Sequence, residues 1–152
     1  MVIGNEKGTN DAVSVGFGTS APSSSLQVNG TFAVGVVNGF GGGTSGSANS
    51  FDQGNINDTN LIGGYYSLTP TSTSNQYYKL PSASSCPGRI YYLRNNSTSV
   101  NAIINTDSDT IYAGSSTAAT LPYTLYASPN TNQSKTVVAI SDGTNWTIGR
   151  FE

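Results

Sequence analysis

No stretch of this chain carries apolar residues at i, i+3, i+4 and i+7 over ten or more positions, so the pattern of an amphipathic helix is missing throughout. Apolar residues instead alternate with polar ones in short runs broken by Gly, Pro, Asn, Asp and Ser. Successive side chains of a strand point to opposite faces, so such runs fit half-buried strands bounded by turns. Candidate strands fall at 12–17, 25–28 and 31–37, then at 64–68, 76–80, 89–94, 100–104, 110–113, 120–126, 136–141 and 145–150. The expected fold class is all-β.

Composition tests that expectation. Ser, Thr, Asn and Gly make close to half of the 152 residues, and only 9% are charged. Soluble domains usually carry about 25% charged residues. Polar chains of low complexity often cannot offset their chain entropy and stay disordered. Nine Tyr, five Phe and one Trp, set mostly within the alternating runs, argue the other way. The surface expected is rich in hydroxyls and amides in place of charges. Six scattered cations and a net charge of −2 supply no basic patch for nucleic acid. No apolar run approaches about 18 residues, so no membrane-spanning helix is expected. Cys86 is the single cysteine and has no disulfide partner in the chain. Residues 1–15, MVIGNEKGTNDAVSV, lack the basic and apolar regions of a secretory signal. A native start at Met1 would therefore mean synthesis and folding in the cytoplasm.

Three sections follow along the chain: an N-terminal β stem module at 1–40, a Gly- and Asn-rich linker at 41–60, and a C-terminal β domain at 61–152. The last is read as an antiparallel sandwich or barrel. Residues 38–60 could alternatively run extended, pinned on neighbouring chains by Phe40, Phe51 and Ile56. The N-terminal module is short of core. About eight apolar side chains, at about 1.5–3 kcal/mol each, cannot offset about 1–2 kcal/mol of backbone entropy per residue over some forty residues. Copies of the chain must then pool their apolar positions about an axis. Val15, Phe17, Leu26, Val28, Phe32 and Val34 are the expected oligomer core.

The last hairpin, KTVVAISDGTNWTIGRF, offers a register to test. A three-residue loop with Gly143 in the left-handed position sets Val138 opposite Trp146 and gathers Val138, Ile140, Trp146 and Ile148 on one face. A two-residue Asp142-Gly143 turn sets Ala139 opposite Trp146 and moves Val138 and Ile140 to the other face. The longer loop buries more apolar surface and is the expected one.

Catalytic chemistry has few handles. The chain has no His, which removes imidazole bases, Ser-His-Asp arrangements and His-ligated zinc. Asp107 and Asp109, in NTDSDTIY, are the one close carboxylate pair and would share a side of an extended segment. They are read as a solvated turn, not as a cation site or a glycosidase pair. GFGGGTSG lacks the lysine and following helix of a phosphate loop. No catalytic residue, metal or cofactor is expected, and the chain is read as a non-enzyme. The Tyr65-Tyr66, Tyr77-Tyr78 and Tyr91-Tyr92 pairs each offer one ring to each face of a strand. Tyr65, Tyr77 and Tyr91, with Tyr123 and Tyr126 in LPYTLYASPN, are the candidate glycan contacts. Packing against another chain is the competing reading of the same rings.

VGFGTSAPSSSLQVNG resembles the recurring GIGT-x-x-P-x-x-x-L-x-V-x-G module of bacteriophage tail fibres, spikes and related surface proteins. Gly16, Gly18, Thr19, Pro22, Leu26, Val28 and Gly30 match it, and Phe17 replaces the usual aliphatic. YYKLPSASSCPGRIYYLRN, DTIYAGSSTAATL and VAISDGTNW together resemble the β-domain near the C-terminus of phage fibre and head-appendage proteins. The resemblance implies a homotrimer on the virion surface, held to other virion proteins by its N-terminal module and meeting a host cell-surface glycan or protein with its C-terminal domain. A virion protein leaves the cell by lysis and needs no signal. Competing readings are a capsid decoration or head-fibre protein without a receptor, a glycan depolymerase, and a bacterial adhesin module.

Overall fold

A computed structural model describes residues 15–18, 26–51, 64–113, 122–129 and 133–150. The chain divides into two compact units, Met1–Ala33 and Val34–Glu152. The described residues are all-β apart from one 3-10 turn at Ala83–Ser85, and none of their helices is long and apolar enough to cross a membrane.

In the first unit β1 (Val15–Phe17) and β2 (Leu26–Val28) pair in parallel, Val15 beside Leu26 and Phe17 beside Val28. The Asn29 backbone N–H extends the ladder to the Phe17 carbonyl at 2.8 Å. Its side-chain amide donates to the Gly18 carbonyl at 3.1 Å. Gly18 sits at φ +73°, and a Cβ there would lie 2.8 Å from the Asn29 carbonyl oxygen. The second glycine of GFGT is thus required both by its left-handed backbone and by this close approach.

The second unit contains β3 (Val36–Gly41), β4 (Asn49–Ser50), β5 (Tyr65–Thr69), β6 (Tyr77–Lys79), β7 (Ile90–Asn95), β8 (Ala102–Asn105), β9 (Ile111–Ala113), β10 (Tyr123–Leu125), β11 (Thr136–Ser141) and β12 (Trp146–Arg150). The strands alternate between two sheets. A six-stranded sheet has the order β3-β5-β7-β11-β12-β9, and a four-stranded sheet β10-β8-β6-β4. Up to β8 the chain places one strand in each sheet and then returns to the first. Neighbours in a sheet are therefore separated by one whole coil of chain, as Tyr65 is from Tyr92 and Tyr78 from Ile104, and they run parallel. Three coils result: β3 with β4, β5 with β6, β7 with β8. The remaining strands depart from this winding. The β11–β12 hairpin lies between β7 and β9, and β10 pairs antiparallel with β8.

Two expectations need correction here. The sheets of the C-terminal domain are mixed, not purely antiparallel, because the strands up to β8 cross between sheets instead of folding back as hairpins. The described part of the expected 41–60 linker, and the end of the expected 1–40 stem, belong to the second unit. Phe40 and Phe51 are the physical reason. Phe51 is fully buried and stacks on Tyr78 at 6.1 Å, while Phe40 packs on Phe51, Tyr66 and Tyr78 at 5.3–5.8 Å. The two rings serve the core of their own chain. Residues 52–63 lie outside the described residues.

Gly42 and Gly43 mark where the first two coils touch. A Cβ on Gly42 would lie 2.6 Å from the Asn75 carbonyl oxygen, and one on Gly43 would lie 2.1 Å from that of Ser47. Gly43 also exchanges backbone hydrogen bonds with Tyr77 at 2.8 and 3.0 Å. Four-residue turns close this corner at 44–47 and its counterpart at 72–75.

Both sheets send their inner side chains into one core. Tyr66, Leu68, Tyr91, Leu93, Val137, Ala139, Trp146 and Ile148 come from the larger sheet, and Tyr78, Ala102, Ile104 and Leu125 from the smaller. The terminal hairpin follows neither expected register. Ser141 pairs with Trp146 and Ala139 with Ile148, leaving a four-residue loop. Asp142 causes this: its carboxylate accepts the backbone N–H groups of Asn145 at 2.6 Å and Thr144 at 2.7 Å. Those bonds hold its pKa below the ordinary 3.8. Val138 and Ile140 consequently face away from Trp146. Trp146 finds its apolar partner on another strand, stacking on Tyr91 at 5.7 Å and 21°.

The motif residues of the C-terminal half meet at this point. The Trp146 indole donates to the Pro81 carbonyl at 3.0 Å, and the Ser141 hydroxyl to that of Ala83 at 2.9 Å. The Ala83 N–H donates to Asp109 at 2.7 Å, and the Asn145 side chain accepts the Thr110 N–H. LPSA and SDGTNW are two halves of one structural lock.

Candidate functional site

The two sheets present different outer faces. On the six-stranded sheet Val36, Tyr65, Tyr92 and Val138 lie side by side across four strands, with Ile90 beside Ile140 in an adjoining row. Val36, Ile90, Tyr92 and Ile140 are exposed. These two rows are apolar and aromatic, and Arg94 beside Thr136 forms a polar row beyond them.

The four-stranded sheet is polar outside. Parallel register aligns Ser50, Lys79 and Asn105 on neighbouring strands, about 4.8 Å apart. A groove of about 370 Å³ lies over them, walled by the 45–48 turn on one side and by Thr106 and Asp107 on the other. Within it the Lys79 ammonium donates to both carboxylate oxygens of Asp107, at 3.0 and 3.1 Å. The pair is solvated, with side-chain exposures of 27% and 73%. Ser45, Ser47, Ser50, Asn105 and Thr106 complete the polar lining, and the Thr106 hydroxyl donates to the Asp109 carbonyl.

Asp107 and Asp109 do not act as a pair. Asp107 is held by Lys79, whereas Asp109 accepts the Ala83 N–H. Among the described residues no three His, Cys, Asp or Glu side chains converge as a metal site. Cys86 is buried and directs its thiol to the Ser82 carbonyl at 3.4 Å.

The five candidate tyrosines separate. Tyr65 and Tyr77 are half-buried and face outward, as expected, and their neighbours Tyr66 and Tyr78 fill the core. The Tyr78 hydroxyl donates to the Phe40 carbonyl at 3.1 Å, and burial pushes its pKa up. Tyr91 is a correction. It is fully buried and meets Tyr66 edge-on at 5.6 Å, so Tyr92 is the outward ring of that pair. Leu93 and Asn95 set the parity: both are buried, and alternation along β7 carries Tyr91 inward with them. Asn95 cannot face out because its amide donates to the Val100 and Leu125 carbonyls, both at 3.0 Å, while its oxygen accepts the Ser97 N–H at 2.9 Å.

Tyr123 and Tyr126 share a smaller cleft of about 180 Å³ with Thr124, Gln133 and Arg150. Tyr123 also packs on the core. Two of the expected glycan contacts are thus brought together here, Tyr77 lies on the other polar face, and Tyr65 sits in the apolar row. Lys79, Ser50 and Asn105 were missed as site residues. Their only signal was a near-even spacing along the chain, which reads as a site only once the coils are known. Of the expected oligomer core, Val15 and Val28 are half-buried, and Phe17, Leu26, Phe32 and Val34 are exposed within the single chain. No protein-family model, curated protein or solved structure matches this chain.

Proposed function

We propose that the chain is a bacteriophage virion surface protein of the fibre or spike kind, an oligomer, trimeric by its resemblance, that projects from the particle and attaches it to the host. Phe17, Leu26 and Phe32 carry this reading. They are 50, 58 and 75% exposed, a large apolar cost for a lone chain and a natural contact between copies. Together with Val15, Val28 and Val34 they form the proposed oligomer core, and the N-terminal module is the proposed anchor to other virion proteins. The apolar outer row through Val36, Tyr65 and Tyr92 suits a further contact between copies. The polar groove and the Tyr123–Tyr126 cleft remain for a host glycan or protein. The role is read as one of binding: among the described residues the acids Asp107, Asp109 and Asp142 each hold a separate partner.

Sedimentation of the intact chain, with cell-binding measured in parallel, tests the proposal. Three copies per particle are expected, falling to one in the Phe17→Ser/Phe32→Ser double variant, with bound host cells lost when avidity is lost. A monomeric wild-type chain would overturn the assembly. An oligomer that joins virions but never binds cells would make it a decoration protein.

A further inference from the structure

We propose that the groove over Lys79 and Asp107 binds the vicinal diol of a neutral saccharide, with the ion pair as the clamp. This rests on reading the chain as an attachment protein, and it names the ligand class for one of its surfaces.

The chemistry begins with unused hydrogen-bonding capacity. An ammonium has three donors and a carboxylate about four acceptor positions. The two contacts within the pair, at 3.0 and 3.1 Å, leave at least one donor and two acceptor positions open to the groove. Adjacent hydroxyls of a sugar ring match that remainder. Both can donate to Asp107 while one accepts from Lys79, and bonds to charged groups are about twice as strong as neutral ones. Ser50 and Asn105, in register with Lys79 on either side, continue the row of groups that both donate and accept.

Charge selects among sugars. The groove holds one cation and one anion, already paired. A uronic acid would bring its carboxylate beside Asp107, and an amino sugar its ammonium beside Lys79. A neutral diol meets no such repulsion. Tyr77 adds an apolar element: it projects from the same face of β6 as Lys79, two residues away, or about 6.6 Å along the strand. That separation places a half-buried ring at the margin of the polar row, where the carbon face of a pyranose could rest.

The experiment uses the intact chain on an array of neutral hexose oligosaccharides, uronate oligosaccharides and phosphodiester-linked saccharides. Calorimetry on the best neutral ligand follows. Asp107→Asn and Lys79→Met are each expected to weaken that ligand about tenfold, the loss of one charge-assisted hydrogen bond. Tyr77→Ala should weaken it less, and Thr147→Ala on the outer face of the other sheet should leave it unchanged. Raising salt should move affinity by less than about twofold, since the ligand is uncharged. Near-ultraviolet circular dichroism of Trp146 checks that each variant is folded. Undiminished neutral-sugar binding by both Asp107→Asn and Lys79→Met would overturn the clamp and leave attachment standing. So would binding confined to acidic saccharides and abolished by Arg150→Ala. A wild-type chain that binds host cells but no saccharide would also overturn it, pointing to a protein receptor. A chain that binds neither would sink the attachment reading as well.

Discussion

In the second unit Phe51, Tyr66, Tyr78, Tyr91 and Trp146 are fully buried among one another. In the first, Phe17, Leu26 and Phe32 are each at least 50% exposed. Both stretches are short strands rich in Ser, Thr, Asn and Gly, so composition does not separate them. The difference is the number of layers. Three coils and a hairpin give the second unit two inner faces that close on each other, so a single chain supplies both sides of its core. The paired strands of the first unit, β1 and β2, are only three residues each. Among the described residues of that unit no second layer closes against them.

The largest test of this contrast is a pair of substitutions. Trp146→Ala should lower the unfolding free energy of the second unit by about 3–5 kcal/mol, while Phe17→Ser should leave it within about 0.5 kcal/mol. Urea unfolding followed by far-ultraviolet circular dichroism reads both. Equal losses would mean that the two units share one core.

Asn95 probes how the third coil is held. Replacing it with Ala strands the Val100 and Leu125 carbonyls and should cost about 2 kcal/mol, measured as a lower urea midpoint at unchanged slope. A silent Asn95→Ala would show that water replaces the amide.

Within the corner of the first coil, Gly43 and Gly46 sharpen the comparison further. A Cβ at Gly43 meets backbone at 2.1 Å, whereas Gly46 has open space. Gly43→Ala should destabilise by about 1–3 kcal/mol, and Gly46→Ala by less than about 0.5 kcal/mol. Similar effects at both positions would deny the tight packing of the 43–47 turn.

The smallest effect is a matter of pH. The lowered pKa of Asp142 means that its carboxylate favours the folded state. That contribution is complete above the ordinary 3.8 and is lost as pH falls through the lower folded value. The thermal midpoint of the wild-type chain should therefore fall more steeply on the acid side than that of Asp142→Asn. Parallel acid limbs would mean that the loop bonds do not discriminate between folded and unfolded states.

Much of the strand pattern was legible in the residues. Each of the eight candidate strands beyond residue 61 overlaps an observed one, because alternation and turn residues are local properties. Pairing was not legible. β5 bonds to β7 across a whole coil of chain, with β6 lying between them in the other sheet, and nothing local to Tyr65 points at Tyr92. The hairpin erred for a related reason. Counting aliphatics beside Trp146 favours Val138 and Ile140, but the Asp142 loop sets the register and Tyr91, far back along the chain, supplies the contact.

The site divides in the same way. Each tyrosine pair could be read as one ring in and one ring out, but which ring faces out could not: at Tyr91 and Tyr92 it depends on what Asn95 bonds. The row Ser50–Lys79–Asn105 exists only because three coils stack in register. Alternation and turn chemistry act over a few residues, so the chain alone determined an all-β protein and most of its strands. Partner, register and facing depend on contacts between residues tens of positions apart, and only the tertiary structure decided those.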